Sequence, residues 1–386
     1  MAHLPFPLKI PGDADFQALC TALWDWQICS SCIQGLPCCQ PTTCPWQQRS
    51  HKLNGPFSYY KTLTSSYLPE SLFAAVPALS CHNDILAIVK LIQTHPETSR
   101  SSLTQAFGHP QSLPEDKDRA FDMAARVVLM VNCSADCGAG RGLLELGTRP
   151  VSWDASMSRT NFMAAAFPQT THPTLDEKDR SPRSQHIFTA LRASRLRSVA
   201  GLRFRSTNDL HSHLRLDHRT GTVDIYHHTA VLKEHLMFSA NPKNTPDASH
   251  VIPRQLALEV IDSIQKVLFP SDIQSQGLLR SLVTKQILDH DCLRYESSSY
   301  RLPGEVETSY SYFGARLMDL YEEASHPTPR SLLEKWIEPR SGGRHVMMAT
   351  LSGVFIAIVL GVVGLGVQIW QACMTYEQLK MATVVR

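Results

Sequence analysis

The chain lacks an excess of charge of either sign. Its 386 residues include 37 Lys and Arg against 35 Asp and Glu, which leaves a formal net charge of +2. Dedicated nucleic-acid-binding domains are strongly basic, so this balance disfavours nucleic acid as a partner. The 24 prolines and 19 glycines are too few for a collagenous or low-complexity chain. A hydrophobic share of 43% is enough to build a sizeable core, which excludes a fully disordered protein.

The sequence also lacks the common catalytic and nucleotide-binding motifs. The third glycine of a dinucleotide-binding pattern comes one residue early, at Gly142. Gly147 is followed by Thr148 and Arg149, where a phosphate-binding loop has Lys and then Ser or Thr. No serine stands in the nucleophile elbow of a hydrolase. We therefore predict no catalytic residue and no cofactor, and we interpret the glycines as a turn.

Histidines are crowded in one part of the chain but show no metal-binding spacing. They are His211, His213, His218, His227, His228 and His235. Two residues apart on a helix, His211 and His213 would point to nearly opposite sides. No cysteine or close carboxylate pair follows to complete a set of ligands. We interpret these residues as half-buried or surface histidines.

The most specific feature is a single apolar run over residues 346–370, which contains no charged residue. At about 1.5 Å per residue it would form a helix of about 37 Å, enough to cross a bilayer core of about 30 Å. The basic residues beside it are Arg330, Lys335, Arg340 and Arg344 before the run, and Lys380 and Arg386 after it. Because basic residues concentrate on the cytoplasmic side, we predict a cytoplasmic amino terminus.

The amino-terminal residues have neither the charged nor the apolar region of a signal peptide. The pattern predicts a tail-anchored, single-pass membrane protein with the lipid bilayer as a partner. Within the run, small residues recur every four positions, at Ala349, Gly353, Ala357 and Gly361. Such a stripe lets a second helix approach closely, which favours a homodimer, although Gly and Ala are common in all membrane helices.

Six of the eleven cysteines lie in residues 1–65, among Pro, Ser, Gln and Trp. Cys29 and Cys32 form a C-x-x-C pair, but the cysteines that follow are irregularly spaced for a second pair. A cytosolic location disfavours disulfides. We interpret the segment as poorly ordered, with incidental thiols. The alternatives are metal binding through Cys29, Cys32, Cys38 and Cys44, and S-acylation of Cys38 and Cys39.

Helical periodicity dominates the rest of the chain. Ile85, Ile88, Val89 and Ile92 follow Asn83, a good helix cap, at the spacing of one helix face. One short strand is predicted at Thr222–Tyr226. We predict a mainly α fold with a minor β part. Its divisions are a Cys-rich segment (1–65), a helical subdomain (66–166), a Pro-rich flexible linker (167–186), a mixed helical subdomain (187–338), the transmembrane helix (346–370) and a short tail (371–386).

One uneven run of charge contains arginines and no acid. Its candidate surface contacts are Arg192, Arg195, Arg197, Arg203 and Arg205. Such a stripe could bind anionic lipid headgroups, at about 1 kcal/mol per residue. The alternatives are an acidic partner and a solvated face neutralised by acids elsewhere in the fold.

Several stretches together resemble a large family of uncharacterised fungal proteins with one carboxyl-terminal span. They are AFDMAARVVLMVNCSAD (120–136), GLLELG (142–147), LRFRSTNDLHSHLRLD (202–217), VDIYHHTAVLKEHL (223–236), YFGARLMDLYEE (312–323) and SLLEKWIEPRSGGRHVMMATLSG (331–353). The Cys-rich start does not match the family. The resemblance implies a fungal source and a membrane location, and it assigns no activity and no catalytic residue.

Together these observations predict an interaction or scaffold protein, with most of the chain in the cytosol and a protein partner of unknown identity. Two alternatives remain open. One is a membrane-bound enzyme without a recognisable motif, which a metal retained on purification would favour. The other is a peripheral lipid sensor that uses the arginine run.

Overall fold

The computed structural model describes residues 8–38, 42–68, 76–108, 110–135, 149–175, 181–240, 251–295, 299–328 and 344–384. The helices are α1 (Asp13–Trp24), α2 (Ser30–Ile33), α3 (Pro45–Arg49), α4 (Asn54–Ser65), α5 (His82–Thr94), α6 (Arg100–Gln105), α7 (Pro114–Leu129), α8 (Arg159–Ala166), α9 (Pro182–Ala190), α10 (Ala193–Val199), α11 (Thr229–Ser239), α12 (Arg254–Asp262), α13 (Ile273–Thr284), α14 (Gly314–Ser325) and α15 (Arg344–Val384). The strands are β1 (Cys133–Ser134), β2 (Val151–Ser152), β3 (Arg203–Thr207), β4 (Leu216–Asp217) and β5 (Thr222–Tyr226). The mainly α fold with minor β is confirmed.

The strands form two small sheets. In the larger sheet the order is β3–β5–β4, with β3 parallel and β4 antiparallel to β5. The central strand is buried on both faces, so its one carboxylate, Asp224, needs buried partners. Arg205 and Arg215 each contact it at 2.7 Å. The smaller sheet pairs β1 with β2 in parallel.

The contacts divide the chain into two units, Met1–Thr328 and Pro329–Arg386. The first unit therefore includes both predicted subdomains, and the predicted linker does not separate them. Within that linker Leu175 is fully buried, and the Thr170 amide donates to the Ser311 carbonyl at 2.8 Å. Residues 176–180 of the linker lie outside the described residues, as does the glycine-containing turn predicted near Gly142.

The amino-terminal segment is folded where the structure describes it, in contrast to the predicted poor order. Phe16 of α1 stacks on Phe57 of α4 with ring centroids 4.3 Å apart. Tyr60 of α4 shares a hydrogen bond of 3.0 Å with His82 Nδ1 at the start of α5. The composition of this segment suggested disorder, but its apolar residues are spaced so that α1 and α4 bury them against the rest of the core.

The second unit contains α15, a helix of 41 residues. Within it, Gly353–Thr375 is long and apolar enough to span a membrane, and α15 is the one such helix among the described residues. The apolar stretch ends beyond the predicted boundary at Trp370, and the predicted tail continues the helix to Val384. Residues 329–343, which precede α15, lie outside the described part of the chain.

Candidate metal centres

Four cysteines of the amino-terminal segment converge. The Sγ atoms of Cys29, Cys32, Cys38 and Cys44 all lie within 4.8 Å of one another. The sulfurs of Cys29 and Cys38 are 3.6 Å apart, and those of Cys32 and Cys44 are 3.8 Å apart. Both distances are far longer than the S–S bond of about 2.0 Å, so neither pair forms a disulfide. The fold thus gathers the four candidate ligands that the irregular spacing did not show to be neighbours.

Short helices position these thiols. Cys29 caps the start of α2 and Cys32 lies within it, whereas Cys44 caps the start of α3. Gln17 of α1 donates from Nε2 to the Cys32 carbonyl at 3.0 Å, which ties α2 to the longer helix beneath it. Cys39, the other half of the predicted acylation pair, lies outside the described residues.

The thiols differ in how readily they ionise. The Cys32 backbone N–H, which points at the Cys29 sulfur, lowers the pKa of Cys29 to about 6. Burial by itself raises the pKa of Cys44, but backbone N–H groups around its sulfur outweigh burial and the pKa falls below its ordinary value. Burial raises the pKa of Cys32. Two of the four sulfurs therefore lie where backbone donors favour the thiolate, the form that binds metals.

A second group of metal-binding side chains forms between β5 and α11. One ring nitrogen each of His227 and His228 and one oxygen of Asp289 lie within 4.8 Å of one another. His228 Nδ1 is 3.9 Å from Asp289 Oδ2. His227 Nδ1, His228 Nδ1 and Asp289 Oδ2 are buried, and among the described residues none of the three has a partner within hydrogen-bonding distance. Buried polar atoms without partners are costly, and a metal ion bound by all three side chains would satisfy them together.

Asn208 orients both imidazole rings of this site. Its Oδ1 lies 3.3 Å from His227 Nε2 and 2.8 Å from His228 Nε2. An amide oxygen only accepts, so each Nε2 carries a proton and donates to it. Burial lowers the pKa of His227 to about 3, which keeps that ring neutral. Metal-binding histidines are typically held this way, with the second ring nitrogen donating to an oxygen.

A cavity of about 470 Å³ adjoins the two histidines. Its lining includes Ser58, Tyr59 and Thr62 of α4, Arg126 of α7 and Asn208. A metal that keeps positions free for water or substrate is typically bound by three protein ligands beside a cavity.

Sequence reasoning missed Asp289, because it stands far from His228 in the chain and no spacing rule connects them. Other histidines of the crowded run have structural partners. His213, fully buried, accepts from the Tyr226 amide at 3.1 Å and contacts Ser263 Oγ at 2.7 Å. Burial holds the pKa of His213 well below its ordinary value. His235 contacts the Ile252 carbonyl at 2.8 Å through Nε2.

The arginines predicted to contact an anionic surface divide into two groups. Arg205 binds Asp224 within the larger sheet, and Arg192 lies 3.9 Å from Asp272. The exposed members are Arg195, Arg197 and Arg203. Of the small residues predicted to pack helices together, Gly353, Ala357 and Gly361 are exposed on α15, and the side chain of Ala349 lies outside the described residues.

Comparisons with protein-family models, with curated proteins and with solved structures find no match to this chain. The evidence for the candidate sites is therefore their geometry.

Proposed function

We propose that the protein is a single-pass membrane protein that holds a helical domain at the cytoplasmic face of a membrane, where the domain binds other proteins. The observation that supports the anchor is the stretch Gly353–Thr375, 23 residues of helix without a charge. Apolar side chains such as Phe355 and Leu360 are exposed along it. An exposed apolar surface of this extent is typically buried against a membrane or another protein. The length of the helix matches the thickness of the hydrocarbon core of a bilayer.

The proposed membrane anchor can be tested by placing charged residues in the apolar stretch. A V362D/L365D variant places two carboxylates at its centre, each costing about 2.5–3.5 kcal/mol in a membrane. We expect this variant to leave the membrane pellet on alkaline extraction while the unaltered chain stays there. V199D, at an exposed apolar residue of α10, is the matched control and should stay with the membrane. Equal extraction of all three proteins would contradict the anchor.

Orientation is tested separately by protease protection in sealed microsomes, with one tag before Met1 and another after Arg386. The excess of Lys and Arg before α15 supports a cytoplasmic amino side. We expect digestion of the first tag, protection of the second, and digestion of both after detergent is added. Protection of the first tag would reverse the proposed topology.

The site of His227, His228 and Asp289 favours a second candidate function, a metal-dependent enzyme anchored at the membrane. Two imidazole nitrogens and one carboxylate suit zinc, iron and manganese, and both histidines line the cavity. The oriented rings and the orphaned Nδ1 atoms support this candidate over a purely structural role for the histidines.

Metal content tests the second candidate. We expect the full chain in detergent to bind one more Co²⁺ ion than the H228Q/D289N variant in equilibrium dialysis. H326Q, at an exposed histidine beyond α14, is the matched control and should bind as much as the unaltered protein. If H228Q/D289N binds the same amount, the site holds no metal and this candidate fails.

A further inference from the structure

We propose that Cys29, Cys32, Cys38 and Cys44 bind a single Zn²⁺ ion in a closed, tetrahedral site that fastens the amino-terminal segment to α11. The site is separate from the histidine site and from the membrane anchor, so the inference goes beyond the proposed function and does not depend on it.

The spacing between the sulfurs fits one zinc ion. Zinc–thiolate bonds are about 2.3 Å long, and a regular tetrahedron with such bonds has sulfurs about 3.8 Å apart. The sulfurs of Cys29 and Cys38 are 3.6 Å apart, and those of Cys32 and Cys44 are 3.8 Å apart. In a four-iron cluster each cysteine binds a different iron, and in a two-iron cluster the cysteines on one iron lie further from those on the other, whereas all four sulfurs here lie within 4.8 Å of one another. A single ion with four soft thiolate ligands is therefore the better match, and zinc prefers this set.

The backbone around the sulfurs suits bound thiolates. Four thiolates around one zinc ion leave two negative charges, which need donors nearby. The Cys32 amide faces the Cys29 sulfur, and the amides of Cys29, Gln47 and Trp46 face the sulfur of Cys44. Hydrogen bonds from backbone N–H groups to sulfur stabilise the charged form and hold each ligand in place.

The local structure depends on such a cross-link. Helices α2 and α3 contain four and five residues, far fewer than a helix needs to be stable alone. Around α2 the apolar packing is incomplete, since Ile33 and Leu36 beside Cys32 are exposed. A metal ion that joins four points of this segment would supply the missing constraint, because binding free energy becomes folding free energy in small zinc sites.

The segment that the ion would fasten reaches α11 from both sides of the cysteines. Trp26, before Cys29, donates from Nε1 to Glu234 Oε2 at 3.1 Å. Arg49, after Cys44, contacts the same carboxylate oxygen at 2.9 Å. Trp26 and Arg49 therefore contact the same buried carboxylate from opposite ends of the cysteine segment. A metal cross-link within that segment would keep both residues at this carboxylate.

The experiment uses the full chain purified in detergent with a thiol reductant, in the H228Q/D289N background to remove the histidine site. We expect one zinc ion per chain and an X-ray absorption spectrum with sulfur ligands only, at about 2.3 Å. We expect C44S to lose this ion and C81S to keep it, since Cys81 is an exposed cysteine outside the cluster.

Removing the ion from the unaltered fold gives a second readout that needs no cysteine variant. We expect a strong chelator to make the chain near Cys29–Cys44 sensitive to limited proteolysis, and added Zn²⁺ to restore protection. Absence of sulfur-coordinated zinc, or equal zinc in C44S and the unaltered chain, would overturn the proposal. The anchor and the histidine site would be unaffected by that outcome.

Discussion

Trp26 and Glu234, 208 residues apart in the chain, are joined by a hydrogen bond of 3.1 Å from the indole nitrogen to a carboxylate oxygen. Arg49 binds the same oxygen at 2.9 Å. Glu234 is only 4% exposed, and burial raises its pKa to about 7 even though Arg49 and Trp26 favour its charged form. One carboxylate on α11 thus receives both ends of the cysteine-containing segment.

This carboxylate makes stability depend on pH. The pKa of Glu234 is raised from 4.5 to about 7 on folding, so the folded chain binds more protons than the unfolded chain between these values. The free energy of unfolding should therefore fall as pH rises through this window. Relative to E234Q, we expect the unaltered protein to lose about 1 kcal/mol between about pH 6 and about pH 8.

Denaturant titration of both proteins at each pH, followed by tryptophan fluorescence, measures this difference. Comparing the two proteins cancels the pH dependence of metal binding, which they share. A difference that stays constant across the window would show that Glu234 has no raised pKa.

Lys233 and Asp291 form a buried ion pair of 2.8 Å between Nζ and Oδ2. Thr229 donates to the same carboxylate oxygen at 2.7 Å. K233M leaves the Asp291 charge buried without its cation, so we expect the free energy of unfolding to fall by about 3–5 kcal/mol. K90M, at an exposed lysine of α5, is the matched control and should change stability little.

The double variant K233M/D291L distinguishes an unpaired charge from lost packing. Removing both charges should restore much of the stability that K233M loses, because apolar side chains often replace a buried pair at little cost. If the double variant is no more stable than K233M, the pair does not act through its charge.

Gly55, the second residue of α4, lies against the histidine site. A Cβ added there would collide with Asp289 Oδ2 and lie 3.5 Å from His228 Nδ1. We expect G55A to displace Asp289 and to weaken divalent-metal binding at this site by about 10–100-fold. G277A is the matched control, because its Cβ would meet nothing within 4 Å.

Isothermal titration with Co²⁺ in a C44S background isolates the histidine site for this comparison. Unchanged affinity in G55A would mean that the ion does not need Asp289 where the structure places it. The alanine at Gly277 should instead stabilise α13 slightly, by about 0.5–1 kcal/mol, since alanine favours helix more than glycine.

The small-residue stripe on α15 remains a prediction from sequence, and it can be tested in a bilayer. G361I adds a branched side chain to the stripe, so we expect energy transfer between labelled chains in vesicles to drop several-fold if they pair there. G366I changes a glycine on another face of the same helix and should leave transfer unchanged. An equal drop in both variants would mean that pairing of the chains depends on glycine content in general and not on this stripe.

The spacing of apolar residues along the chain was enough to predict many of the helices. The apolar spacing predicted α5, and Ile85, Ile88, Val89 and Ile92 are all buried in it. The helix begins at His82, slightly before the predicted cap at Asn83. Periodicity succeeds here because a helix that packs on one side must repeat its apolar residues every turn.

The amino-terminal segment shows where local pattern fails. Its prolines and cysteines suggested poor order, and the spacing of Cys29, Cys32, Cys38 and Cys44 suggested no regular metal motif. The structure brings the four sulfurs together because α1 and α4 pack on the core and define where the intervening turns can lie. Convergence of ligands depends on that packing, which spacing does not report.

The sequence by itself determined the mainly helical fold and the one apolar stretch long enough to span a membrane, because both follow from residues that are neighbours along the chain. Only the tertiary structure decided that Asp289 meets His228 and that Trp26 and Arg49 meet at Glu234. Those contacts join residues far apart in sequence, and they form because burial of the shared core leaves polar groups few partners other than one another.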